Sequence, residues 1–209
     1  MIFQLTALIL LGIFYGCYFG KMIALKRKGI QTDQIGKGKT GVDRRIELTM
    51  KAATLSVPAL ELISICMNTV GLPRWARYTG IILAISGDMA FVISVWTMRD
   101  SWRAGVSKTD QTELVTDGIY QISRNPAFLG FDLVYVGILL MFFNWLLFAF
   151  SIFAMFMFHL QIVKVEEVFL STVFGSDYEN YKKKVNRYLG RKYNGKGNEN
   201  HEISSRYEK

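Results

Sequence analysis

Two stretches of this chain hold residue types that could do chemistry. The first, Arg99 to Gly130, reads RDSWRAGVSKTDQTELVTDGIYQISRNPAFLG and mixes Gly, Asp, Thr and Arg with single aromatics, a composition too structured for a linker. Within it Asp117-Gly118 is a turn signal, and Pro126 sits where it can open a helix. A helix starting there presents free N–H groups and the positive end of its dipole, with Arg124 alongside, which suits a metabolite carboxylate or a lipid phosphate. The second stretch holds Lys164, Glu166 and Glu167, then Phe174-Gly175 and the tyrosine-rich run Asp177 to Tyr188. Adjacent acids at the C-terminal end of an apolar helix oppose the dipole's preference. They either pair with cations such as Arg124 or serve a cationic or hydroxyl-bearing ligand.

Composition narrows the setting of that chemistry. Of 209 residues 51% are hydrophobic and only 20% charged, too oily for an ordinary soluble domain and incompatible with a disordered chain. The net charge of +8 and pI near 9.5 could suggest nucleic acid. The charges lie between apolar runs, however, so a membrane surface is the better partner and no nucleic acid is expected. Cys17 and Cys66 sit inside apolar runs as small hydrophobes, and His159 and His201 are too few and too distant to join them, so a metal-free mechanism is expected.

The elements that must position these residues are membrane helices. Ile2 to Leu25 would reach about 36 Å as a helix, enough to cross a bilayer, and with no basic n-region or cleavage site around it, it reads as a retained anchor. Its Gly12, Gly16 and Gly20 recur every fourth residue, a stripe expected to admit a neighbouring helix closely. They lack the strand and turn of a dinucleotide fold. Ala52 to Val70, with Pro58 and Glu61, forms a second span, and Trp75 to Met98, with Asp88, a third. Both carboxylates should face the bundle interior and pair with polar groups or serve a function there. Ala127 to Val163 is too long for one crossing, and Asn144-Trp145 marks a turn between two spans. The expected fold is all-α, a polytopic bundle of about five transmembrane helices. Lys26, Arg27, Lys28, Lys37, Lys39, Arg44, Arg45 and Lys51 follow the first span, against Arg74 and Arg77 after the second, which puts the first loop, the Arg99–Gly130 segment and the C-terminus in the cytosol.

Taken together, LVTDGIY, SRNPAFLG and EEVFLSTVFGSDYENYKKKVNRYLG, in that order and spacing, resemble the isoprenylcysteine carboxyl methyltransferase and phospholipid methyltransferase family of integral membrane methyltransferases. The resemblance covers roughly Arg99 to Gly190; the first two spans match in hydropathy alone. It implies S-adenosylmethionine as cofactor, held between the last spans and the tail without a Rossmann domain, and a lipid-like or lipidated acceptor entering from the membrane. Carried over position by position, it implies that Thr112, Glu113, Leu114, Val115 and Tyr120 wrap the cofactor. Asn125, Pro126, Ala127 and Phe128 match the family's His-Pro-x-Tyr box, and Glu166 its cofactor-binding acid with Glu167 beside it. Arg124 and Asn125 are the catalytic candidates. Two positions depart from the pattern: Asn125 replaces a histidine and Phe128 a tyrosine. Asn can still donate a hydrogen bond, whereas Phe cannot. The substrate-contacting arginine of eukaryotic members, four residues before the first acid, falls on Ile162.

Three regions follow: membrane helices over 1–98, a methyltransferase-like core over 99–190, and a tail over 191–209 whose composition favours disorder. Methyl transfer from a sulfonium is an in-line displacement that asks mainly for proximity, alignment and a dry site. A carboxylate acceptor needs no base; an amine or thiol must lose a proton, for which Glu61, Asp88 or Asp132 stands available. Isoprenylcysteine carboxyl O-methylation is the leading expectation. Phospholipid amine N-methylation, a membrane NADPH-dependent reductase of steroid-reductase type, and a non-enzymatic membrane scaffold are the rivals.

Overall fold

The computed structural model describes residues 1–105 and 113–192. Among them the chain is helical: α1 (Ile2–Arg27), α2 (Gly41–Cys66), α3 (Arg74–Met98), α4 (Pro126–Met141), α5 (Trp145–Leu160) and α6 (Glu167–Lys184). Short 3₁₀ turns occupy Arg99–Ser101 and Gly118–Gln121, and a π turn over Gln161–Glu166 joins α5 to α6. Helices α1, α2, α3 and the run Trp145–Lys184 are long and apolar enough to cross a membrane, and α4 is a shorter apolar helix. The polytopic all-α bundle expected from the hydropathy is the one observed.

Burial explains which faces pair. Leu5, Ile9, Ile13 and Ile23 of α1 and Ile82, Ile85, Met89 and Ile93 of α3 are exposed, as the lipid-facing sides of membrane helices are. The opposite sides meet in two cores. In one, Phe14 of α1 packs on Phe91 of α3 and Phe131 of α4, with centroids 4.5 and 4.7 Å apart. In the other, Ala53 and Val57 of α2 pack with Leu147, Ala154 and Phe158 of α5 and Tyr135 of α4.

The close approach of helices is made by other glycines than those on α1. Gly12, Gly16 and Gly20 meet no atom within 4 Å of where a Cβ would stand, so the expected packing stripe faces no helix among the described residues. Instead α3 and α4 cross with backbones nearly touching. A Cβ on Gly87 would lie 2.7 Å from the Gly130 carbonyl oxygen, and one on Gly137 would lie 2.7 Å from that of Gly80. Two glycines per helix, at the same seven-residue spacing, fix this antiparallel pair.

Three further expectations are refined. α2 begins at Gly41 rather than Ala52, because the polar segment before the apolar run extends the helix instead of forming loop. It also continues through Pro58. The turn at Asn144 is built as expected: its Oδ1 accepts from the Leu147 N–H at 2.9 Å, and its Nδ2 donates to Ser64 Oγ at 2.7 Å. Glu61 and Asp88 do face the interior, at 0% and 5% exposure, but neither carboxylate has a hydrogen-bond partner among the described residues. The Tyr15 and Tyr135 hydroxyls lie beside each other and near Glu61 in the same buried region.

The two ends of the bundle differ. At one, Arg77 bonds Asn68 Oδ1 at 3.0 Å and lies 4.2 Å over the Phe3 ring, and Thr69 donates to the Phe142 carbonyl. At the other lie the 28–40 loop, the Arg99–Ser101 turn, the start of α4 and all of α6. There Gln34 and Ala104 exchange backbone bonds with each other's strand-like segments, Gln34 N–H to Ala104 O and Ala104 N–H to Thr32 O, both 2.9 Å.

Candidate functional site

Two buried polar clusters form at the loop-rich end, on either side of the π turn. The first is built by folding the chain after α6 back over the start of α4. The Arg124 N–H donates to the Asn186 carbonyl at 3.1 Å, and the Gly190 N–H to Ile122 O at 2.8 Å. Asn125 Nδ2 donates to the Arg187 carbonyl at 3.1 Å, so the Asn125 amide does use its donor. This fold-back brings two guanidiniums to one acid: Glu167 pairs with Arg124 at 3.0 Å and with both nitrogens of the Arg187 fork at 2.9 Å. Arg124 also donates to the Tyr178 hydroxyl at 3.1 Å. Its Nε is buried without a partner.

An aromatic floor lies below this cluster. Tyr120, Tyr178 and Tyr181 are buried with Val185, and Leu114, Val115 and Phe174 pack against them. The Tyr181 hydroxyl donates to the Tyr120 carbonyl at 2.6 Å, tying the Gly118–Gln121 turn to α6. Burial raises the Tyr120 hydroxyl above the ordinary phenol range, and the Glu167 hydrogen bond holds the Arg187 guanidinium still more firmly charged.

The second cluster surrounds Glu166. Gln161, fully buried on the π turn, lies beside the Glu166 carboxyl and donates from Nε2 to Glu47 Oε1 at 3.1 Å. Glu47, fully buried on α2, forms an ion pair with the buried Lys39 and accepts the Gly36 N–H at 2.5 Å. Gln161 Oε1 has no partner.

The predicted site residues are thus divided. Arg124 and Asn125 stand together with Glu167; Leu114, Val115 and Tyr120 form the adjoining apolar floor; Glu166 faces the other way, toward Gln161 and Glu47. Pro126 opens α4 as expected. Ala127 packs against the α1–α3 core and Phe128 against Phe158, ring centroids 5.2 Å apart, so these two stand apart from the arginine cluster. Glu113 is exposed. Thr112 lies outside the described residues. Arg187, Tyr178 and Tyr181 lie in the tyrosine-rich run Asp177 to Tyr188 singled out in the sequence, but tyrosines and basic residues in a charged helix carry no pattern marking their partners. Lys39, Glu47 and Gln161 meet only in three dimensions.

Beside the fold-back, a cavity of about 410 Å³ is lined by Leu129, Asp132, Leu133, Val136, Met155 and Tyr188. Its walls are apolar and its polar end is Asp132 with Tyr188, whose hydroxyl lies 2.6 Å from His159 Nδ1. Burial and then the Asp132 charge push the Tyr188 hydroxyl up.

A polytopic helical membrane bundle with a polar, arginine-bound acid cluster at one mouth is the class that fold and site define. Within that class, the model of the phospholipid methyltransferase family matches residues 75–177. Among curated proteins, the chain is 31% identical over 117 residues to a probable protein-S-isoprenylcysteine O-methyltransferase of Oryza sativa subsp. indica, covering 55% of this chain and 61% of that protein. It is 30% identical over 130 residues to the protein-S-isoprenylcysteine O-methyltransferase of Saccharomyces cerevisiae, covering 61% and 53%. A third relative, from Schizosaccharomyces pombe, is 36% identical over 72 residues, 34% of this chain and 30% of that protein. The match thus spans between about a third and three fifths of these relatives' own length. The resemblance drawn from the motifs is borne out.

Proposed function

We propose that this protein is an integral-membrane, S-adenosylmethionine-dependent methyltransferase that acts on a lipidated acceptor at the cytosolic mouth of its bundle, in the manner of an isoprenylcysteine carboxyl O-methyltransferase. The observation that carries the reading is the convergence of the 120–125 turn with Glu167 and Tyr181 at one mouth, with Glu166 next in sequence on the π turn, inside and beside the segment matched to the family. The relatives' names support methyl transfer to a prenylated cysteine over the reductase and scaffold readings.

The residues present fit the cofactor. Arg124 Nε is a buried cationic donor lacking an acceptor, as a methionine carboxylate would supply. Glu166 and the free Gln161 Oε1 are acceptors for ribose hydroxyls or an ammonium. Leu114, Val115 and the tyrosine floor offer an apolar surface for an adenine ring. When bound, S-adenosylmethionine supplies a sulfonium-activated methyl group. The chain's part is to hold that methyl in line with the acceptor and keep water out, since a carboxylate acceptor is already a nucleophile. The cavity between α4 and α5 gives an apolar acceptor tail a place beside the fold-back.

The test is transfer of a labelled methyl group to a farnesylated cysteine bearing a free carboxylate, using the full chain in lipid nanodiscs. Alkali-labile product, releasing methanol, supports carboxyl O-methylation. The family model's description favours phospholipid amine methylation as the second reading, and alkali-stable label in an aminophospholipid would establish it instead. Label in neither, with no cofactor bound, overturns both.

A further inference from the structure

The buried ion pair Lys39–Glu47 lies outside the family-matched segment, on the 28–40 loop and α2. A buried pair contributes little net stability, because the desolvation of two charges offsets most of their attraction. What this one does is geometrical. Each Glu47 oxygen accepts from a different part of the chain: Oε2 from the Gly36 N–H, and Oε1 from Lys39 and from Gln161 Nε2. Gln161 is fully buried, sits on the π turn, and its side chain lies between Glu47 and the Glu166 carboxyl. An amide nitrogen has two N–H donors, so one side chain can bridge two carboxylates. The π turn helps to set this: its wider helical turn places Gln161 and Glu166 five residues apart on one face.

We propose that Gln161 is a positioning residue for Glu166, anchored from outside the family core by the Lys39–Glu47 pair. Through it the N-terminal half of the chain orients the acid proposed to hold the cofactor. The inference rests on the methyltransferase reading.

Binding of S-adenosylmethionine to the full chain in nanodiscs, measured by titration calorimetry, tests it through a cycle of variants. The wild type binds, and Glu166→Gln weakens binding; if either fails, the functional reading falls and this inference with it. Given both, Gln161→Met raises Kd about tenfold, while acceptor KM at saturating cofactor stays within twofold. In the Glu166→Gln background the same Gln161→Met change moves Kd by less than twofold, because its effect passes through Glu166. A merely structural glutamine would cost the same factor in both backgrounds, and that result overturns the proposal, as does an unchanged Kd for Gln161→Met alone. Lys39→Met with Glu47→Leu removes both buried charges together and provides a second route should Gln161→Met not fold. It raises Kd in the wild-type background but not beside Glu166→Gln; equal effects in both overturn the anchoring role.

Discussion

Two neighbouring glutamates with opposite surroundings are the clearest residue-level finding. Glu167 neutralises two arginines and ties the post-α6 segment to the start of α4, whereas Glu166 meets an amide and retains capacity for a ligand. Substitutions should therefore separate them. Glu166→Ala is expected to lose about 1.5–3 kcal/mol of cofactor affinity, roughly a tenfold to hundredfold rise in Kd, with little change in thermal stability. Glu167→Ala strands two guanidiniums, one of them nearly buried, and should cost about 3 kcal/mol of stability, read by thermal unfolding in detergent. Equal loss of stability in both variants would contradict this division. The sequence placed both acids at the right mouth, since paired carboxylates ending an apolar helix are conspicuous there. It left open whether they met cations or a ligand, because Arg187 lies twenty residues from Glu167 and nothing local marks them as partners.

At the level of elements, hydropathy located the apolar helices among the described residues, four of them long enough to cross a membrane and α4 shorter, because hydrocarbon tolerates only long apolar helices. Helix pairing was less legible. The four-residue glycine repeat of α1 identifies a surface that another helix could approach without saying which helix does so. The seven-residue pair Gly80 and Gly87 matches Gly130 and Gly137 on the neighbouring helix, a correspondence that could have been noticed by comparing spans. Gly137→Ala, whose methyl would stand 2.7 Å from backbone atoms of α3, is expected to destabilise the bundle by about 1–3 kcal/mol. Gly12→Ala should leave thermal stability unchanged or slightly raised, because its methyl meets nothing within 4 Å. A cost for Gly12→Ala equal to that for Gly137→Ala would show that α1 packs on something beyond the described residues.

For the molecule as a whole, orientation and alkaline stability can be tested. On the topology proposed above, with the loop-rich end in the cytosol, a cysteine at the exposed Lys37 should resist impermeant thiol reagents added to intact cells and react once the membrane is opened. Labelling from outside would reverse the topology. Tyr120 and Tyr188 both have hydroxyls raised by burial above the unfolded value of about 10. Folding therefore favours their protonated forms: that stability is present below about pH 10 and is lost as pH rises from there toward the folded values. Thermal midpoints should fall above about pH 10 together with growth of tyrosinate absorbance, and Tyr188→Phe should lessen the fall. A midpoint independent of alkaline pH would remove this contribution.

The shortness of α4 carries one more consequence. Its sixteen residues span about 24 Å, against a hydrocarbon layer of about 30 Å, while α1 and α3, beside it, are each at least half as long again. Hydrophobic mismatch of this kind is met by thinning the bilayer or by letting polar residues sink below the headgroups. Arg124 and Asn125, at the mouth of α4, would then lie nearer the acyl chains than the ends of the neighbouring helices do. A lipid-anchored group could reach them without being lifted out of its leaflet, and membranes of shorter acyl chains would hold the mouth at the level of that group.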